Sequence, residues 1–143
     1  MDQLEKDARE LQRANGFAKH NFIEGEAVAQ DEAVFRLEIR PESLNPYGVI
    51  HGGAIYALAD NAAGFAAHTD GRFYVTQTST LHFLRSQTEG TVRAKAKVRH
   101  RGKSTCLISV DIVGEDERLL ATGEYTFFCV NKTIMDAKGG KSE

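Results

Sequence analysis

The spacing of apolar residues along the chain changes three times. From Gln3 to Ala14 it is helical, with Leu4, Ala8 and Leu11 on one face, which predicts a short amphipathic helix. Two extended runs follow, "FIEGEAVAQ" and "AVFRLEIR", on either side of a turn-like "QDE", and they predict a hairpin. In the second run Phe35, Leu37 and Ile39 alternate with Arg36, Glu38 and Arg40, so one face should be buried and the other wet. Pro41 ends that run, and a loop to Ile50 leads into the most apolar stretch of the chain, "HGGAIYALADNAAGFAAH", which reads as a buried helix. After "TDG" the extended pattern returns in "FYVTQTSTLHFLR", "GTVRAKAKVRHRG", "STCLISVDIVG" and "RLLATGEYTFFCV", separated by the breaks "TEG", "RGK" and "GEDER".

The order is therefore helix, two strands, one long helix, four strands. Consecutive strands with short connections argue for an antiparallel sheet. A lone apolar helix among them must be covered by that sheet. The helix is rich in small residues (Ala54, Ala57, Ala59, Ala62, Ala63, Gly64, Ala66, Ala67), so a strongly curved sheet could wrap it closely. The class is α+β. The expected segments are an N-terminal helical part at 1–20, one folded domain at 21–130, and a polar tail at 131–143, "NKTIMDAKGGKSE".

Composition narrows the function. The 143 residues suffice for one domain with a real core, and 41% hydrophobic with 27% charged residues fits a globular protein. A net charge of −2 exerts no global pull on nucleic acid or anionic membrane. No apolar run approaches the roughly 20 residues of a membrane span, and the charged "MDQLEKDARELQRANG" is unlike a secretory signal. A cytoplasmic location is the expectation. Cys106 and Cys129 match no metal spacing and read as small buried residues. No metal cluster or nucleotide-binding glycine loop is evident, and no cofactor is expected.

The chemistry concentrates in Asn45 to His68. Asp is a poor helix-interior residue and is almost never buried unpaired. Asp60 nevertheless lies in the middle of the apolar helix, and its neighbours one turn away (Tyr56, Ala57, Ala63, Gly64) include no cation. It must face water or something that needs a carboxylate. Gly52 and Gly53 stand at the helix mouth, where unpaired N–H groups and the helix dipole could stabilise an oxyanion, although a tight entry turn would equally use glycine. His51 fits either a capping or a catalytic role, and Asn45 before Pro46 is an ordinary turn former.

Asn45, His51, Gly52, Gly53 and Asp60, spaced as N-x5-HGG-x7-D, resemble the signature of the hotdog-fold acyl-CoA thioesterases of the phenylacetate-degradation (PaaI) type. "TLHFLRS" and "VRHRGKSTCLISVDI" resemble that family's later strands, and the likeness spans roughly Phe22 to Val130. Ser86 departs from the family, which often has proline there. The resemblance implies a helix wrapped by an antiparallel sheet, and hydrolysis of a small or medium acyl-CoA, aromatic ones included. It makes Asp60 the catalytic carboxylate, as general base or nucleophile, and the Gly52 N–H an oxyanion donor. Asn45 and His51 would shape the site, and Thr76 would lie near the attacking water. A non-hydrolytic acyl-CoA-binding module and a hotdog dehydratase are the alternatives.

Arg93, Lys95, Lys97 and Arg99 alternate with apolar residues and share one strand face, read either as a solvated outer face or as a landing area for coenzyme A phosphates. Arg85, Arg101 and Lys103 are further phosphate candidates. Eight residues separate Gly52 from Asp60, about 12 Å along a helix. One helix cannot bring both to one carbonyl, whereas two antiparallel copies can. A homodimer with composite sites is therefore expected, and a pair of such dimers beyond it.

Overall fold

The computed structural model describes residues 2–130; the polar tail expected at 131–143 lies outside the described residues. Helix α1 (Gln3–Arg13) opens on a reciprocal cap, in which the Asp2 side chain accepts from the Glu5 N–H and the Glu5 carboxylate from the Asp2 N–H. Of its apolar face Ala8 is fully buried. A short second helix, α2 (Gly16–His20), starts from an Asn15 cap.

Six strands follow the predicted runs closely: β1 (Ile23–Ala29), β2 (Glu32–Glu38), β3 (Phe73–Phe83), β4 (Thr91–Arg101), β5 (Thr105–Val113) and β6 (Leu119–Val130). They form one antiparallel sheet in the order β1-β2-β4-β5-β6-β3. The long helix α3 (Gly52–His68) leaves from the β2 side and returns the chain to the opposite edge, where β3 pairs only with β6. The sheet curves around α3, which touches all six strands. This is the hotdog fold.

Small residues make the close wrap possible. Ala59, Ala62, Ala63, Ala66 and Ala67 are completely buried against the sheet, with Leu58 and Ile55 at the start of the stripe. Larger side chains reach them from the strands: Phe35, Leu37, Val92, Ile108, Ile112, Leu120 and Tyr125. The alternation read in β2 is real, since Ala33, Phe35 and Leu37 are buried while Glu32 and Glu38 are exposed. Tyr125 ties sheet to helix, its hydroxyl donating to the Tyr56 carbonyl at 2.9 Å.

The C-terminal end of α3 is held by a polar network. Arg101 donates to the Ala67 carbonyl, to Asp31 in the β1–β2 turn and to the Tyr74 hydroxyl at 2.8–3.0 Å, and pairs with Asp70 at 2.9 Å. A β-bulge between Val98 and His100 brings Arg101 there. The extra residue inverts the alternation, so Arg101 pairs with the buried Cys106 on the helix side, while Lys95 and Lys97 face out.

Candidate active site

Three elements converge on Asp60. It sits on the third turn of α3, part-buried, on the face that the sheet does not fully cover. Strand β3 brings Thr76 alongside, and the Thr76 hydroxyl donates to Asp60 Oδ1 at 2.6 Å. A bulge between Thr76 and Thr78 falls at this point of the β3–β6 pairing. No cation pairs with Asp60 among the described residues. Burial raises its pKa above the ordinary carboxylate value; the Thr76 hydrogen bond pulls the other way and is outweighed. The result is a carboxylate with one oxygen fixed and the other uncommitted, more basic than a surface aspartate.

A cleft of about 480 Å³ opens beside it. Its walls are mainly apolar: Gly64, Phe65, Phe73, Phe127 and Val130 from the core elements, with Leu11 of α1 and Ala14, the C-cap of α1. Asn15 ties this N-terminal wall down through a 2.8 Å bond to Asn61, the residue after Asp60. The role of α1 as a wall of the cleft had no sequence signal, and Gly64 had only its helical spacing from Asp60.

The helix mouth is equally defined. His51 is the N-cap of α3, and its Nδ1 accepts the Gly53 N–H at 2.8 Å. The Ala54 N–H reaches the His51 carbonyl. Gly52 is thus left as the first-turn residue whose N–H has no acceptor among the described residues. A Cβ at Gly52 would come no nearer than 3.9 Å to the Phe83 ring, so steric pressure from the fold does not demand glycine there. Asn45 builds the approach: its side-chain oxygen accepts from the Tyr47 and Val49 N–H groups, shaping the loop that delivers His51.

The structure brings Asp60 and Thr76 together and sets Asn45, His51 and Gly52 at the other end of α3. The phosphate candidates separate. Arg101 is committed to the network at the helix end, with burial opposed and outweighed by Asp31 and Asp70, so that its charge is strongly held. Arg85 and Lys103 are exposed. Of the outer row, Arg93 pairs with Glu26 and Lys95 with Glu117, both at 2.8 Å, Lys97 lies 3.8 Å from Glu32, and Arg99 donates to Ser109. Cys106 is fully buried, and that burial pushes its thiol pKa up, which leaves no activated sulfur there. Among the described residues no helix is long and apolar enough to cross a membrane, and no group of acidic, His and Cys side chains could hold a metal.

A helix wrapped by a hotdog sheet, with a part-buried carboxylate beside an apolar cleft, is the architecture of the thioesterases that this chain resembles. The chain belongs to the thioesterase superfamily, whose family model matches residues 47–121. It is 34% identical over 97 residues to acyl-coenzyme A thioesterase PaaI of Escherichia coli K12, covering 66% of this chain and 69% of that one. The solved structure of E. coli PaaI superposes with a TM-score of 0.86 at 27% identity over 90% of this chain and 94% of that one. A hypothetical thioesterase of Streptococcus pneumoniae, solved with coenzyme A, superposes at 0.78 with 27% identity, covering 84% and 97%. Variants of that protein with alanine for an aspartate and for a threonine sixteen residues further on have also been solved.

Proposed function

We propose that this chain hydrolyses small or medium acyl-CoA thioesters at sites shared between two copies. Asp60 is the general base or the nucleophile, and the Gly52 N–H of the second copy is the oxyanion donor. The observation that carries the reading is Asp60 itself: a part-buried carboxylate with no cation beside it, a raised pKa, and one oxygen held by Thr76 at the edge of an apolar cleft. Structural ion pairs push carboxylates the other way. The aspartate and threonine replaced in the S. pneumoniae thioesterase stand sixteen residues apart, as Asp60 and Thr76 do, which supports giving the two a joint role. Coenzyme A as the carrier is supported by the E. coli relative and by the coenzyme A complex.

The carbonyl carbon of the bound thioester lies near the free oxygen of Asp60. Asp60 either removes a proton from water as that water attacks, or attacks directly and forms an anhydride that water then opens. In both routes negative charge develops on the carbonyl oxygen, where a backbone N–H and the positive end of α3 stabilise it. The tetrahedral intermediate collapses with loss of the coenzyme A thiolate. Because His51 Nδ1 accepts the Gly53 N–H, the proton of its neutral ring sits on Nε2, so His51 is not poised as the base of a dehydratase. Arg85 and Lys103 are the exposed cations proposed to meet the phosphates.

The test is turnover of an acyl-CoA panel with a free-thiol readout, by the wild type and by Asp60→Asn. The amide can still accept from Thr76 but can neither take the proton nor attack. A loss of at least about 10²-fold in kcat is expected in a folded protein. Near-wild-type turnover by Asp60→Asn would remove the carboxylate from the mechanism. Tight binding of acyl-CoA without hydrolysis by the wild type would make the protein a binding module.

A further inference from the structure

Arg72 lies in the loop after α3 and holds the turn 102–104 that joins β4 to β5. Its Nε donates to Asp70 Oδ2 at 2.8 Å and its backbone N–H to Asp70 Oδ1 at 2.9 Å, so the guanidinium is aimed. Its other two nitrogens donate to the Lys103 carbonyl at 2.8 Å and to the Gly102 carbonyl at 3.2 Å. The next carbonyl, that of Ser104, accepts the Cys129 N–H at 2.7 Å, and the Gly102 N–H closes the hairpin on the Thr105 carbonyl at 2.8 Å. Successive carbonyls of an exposed turn are all committed, two of them to one side chain. The Lys103 side chain is left exposed and pairs with no acid among the described residues.

We infer that Arg72 is a positioning residue for coenzyme A: by fixing the 102–104 turn it presents the Lys103 ammonium to the phosphates. This inference rests on the thioesterase reading of Asp60. The first support is reach. Thr76, Phe127 and Cys106 share one rung of β3, β6 and β5, which puts Cys106 two strand spacings, about 10 Å, from the Thr76–Asp60 pair. Lys103 stands three residues back from Cys106, about 10 Å more and at right angles to the rung. Its backbone is then about 14 Å from Thr76. About thirteen bonds join the thioester sulfur of a CoA ester to its first phosphorus, which is about 16 Å at the extension of a peptide chain, 3.8 Å per three bonds. An ester reacting at Asp60 therefore carries its phosphates as far as the turn. The second support is order. A lysine on a loose turn must be immobilised when the phosphates bind, and that cost is taken from affinity. With Arg72 in place the turn is ordered beforehand. The third is charge. Asp70 neutralises the guanidinium at 2.8 Å, so Arg72 acts through the geometry of the turn and not as a second cation seeking phosphate. No covalent bond changes.

The experiment compares one acyl group on two carriers, coenzyme A and N-acetylcysteamine, which has no phosphates. Arg72→Met keeps the stem of the side chain and removes its donors. It should raise KM for the CoA ester about three- to tenfold, the cost of ordering a long side chain on binding, with kcat held and with kcat/KM for the N-acetylcysteamine ester unchanged. Arg72→Lys, which can reach one of the two carbonyls, should recover part of the loss and guards against a variant that does not fold. Because Arg72 acts through Lys103, adding Arg72→Met to Lys103→Met should change KM by less than about twofold. Dissociation constants of coenzyme A and of phosphate-free pantetheine, measured by calorimetry on the same variants, give the comparison without turnover. Equal losses on the two carriers, an unchanged KM for the CoA ester in folded Arg72→Met, or losses that multiply in the double variant would overturn the inference and leave the thioesterase reading standing. Failure of the wild type to hydrolyse any ester of a broad panel would overturn the thioesterase reading instead.

Discussion

The shared site can be tested without solving a complex. The Gly52 N–H and Asp60 belong to one rigid helix that places them about 12 Å apart. Side chains lean toward the helix N-terminus, which shortens this by about 2 Å. A carbonyl served by both needs each within about 3–3.5 Å of its reacting atoms, so a single copy fails by several ångströms. In the proposed dimer two antiparallel copies of α3 would succeed, because Gly52 of each would face Asp60 of the other. Two dead variants follow. Asp60→Asn removes the carboxylate. Gly52→Val puts a branched side chain into the oxyanion site, and the 3.9 Å clearance to Phe83 allows the fold to accept a new Cβ. When the two are mixed and chains exchange at random, half of the dimers are hybrids. Each hybrid has one site built from two mutated groups and one built from two intact groups. One good site in half of the dimers amounts to about a quarter of wild-type activity. The assay is thiol release after a denaturation–renaturation mix, with exchange verified by a mass tag on one chain. Verified exchange with no recovery would refute the shared site, and so would a monomeric form with full turnover.

Two further outcomes come from the titrating groups. Activity should rise with pH as Asp60 ionises, with its acid limb above the ordinary aspartate range of about 3.9 because burial raises this carboxyl. Thr76→Val removes the hydrogen bond that lowers the value, so the limb in a kcat/KM–pH profile should move further up; a shift downward would contradict the assignment. Asp70 behaves oppositely: burial pushes it up, but hydrogen bonds from Tyr74 and Arg72 and the charge of Arg101 prevail and hold it below the usual value. A depressed carboxyl stabilises the fold above its unfolded pKa of about 3.9 and loses that contribution as pH falls through the folded value. Asp70→Asn should therefore lower Tm at neutral pH, by about 5 °C for a loss of 1–2 kcal/mol, with the deficit closing below about pH 4, as followed by thermal melts across pH.

Most of the fold was legible because each strand carries its own alternation and each break its own turn residues. The apolar helix stood out for the same local reason, and so did the single acid inside it. What was not legible depends on registers. Helix α2 has five residues and opens on Gly16, too short for a period to show. The placing of β3 at the sheet edge, beside β6 and not beside β2, is a property of the whole sheet. Arg101 reads in the sequence as a phosphate candidate at the end of its strand. One inserted residue at the bulge inverts the phase and turns Arg101 inward, onto the end of α3. The partner turns that receive it, at Asp31 and Asp70, lie 70 and 31 residues away in sequence. Thr76 was reached only through the family likeness; the bulge that sets its position does not show in composition.

The contrast between Asp60 and Asp70 carries the functional argument furthest. Both are part-buried carboxylates at α3, ten residues apart, and both lose solvation. Asp70 is compensated by a phenol, an amide N–H and two guanidinium groups, which is how a fold satisfies an acid it needs only for structure. Asp60 receives one hydroxyl. The same chain that surrounds one acid with four donors leaves the other nearly bare on its most apolar helix, at a cost in stability that worsens above the ordinary aspartate pKa. Replacing it by asparagine should therefore raise Tm at neutral pH, with the gain vanishing below about pH 4, where the carboxyl is protonated in both states. A variant that melts higher and no longer turns over would show a group retained against stability for what it does to a bound substrate. A variant that melts lower across the pH range would mean that Asp60 is a structural acid whose partner has been missed.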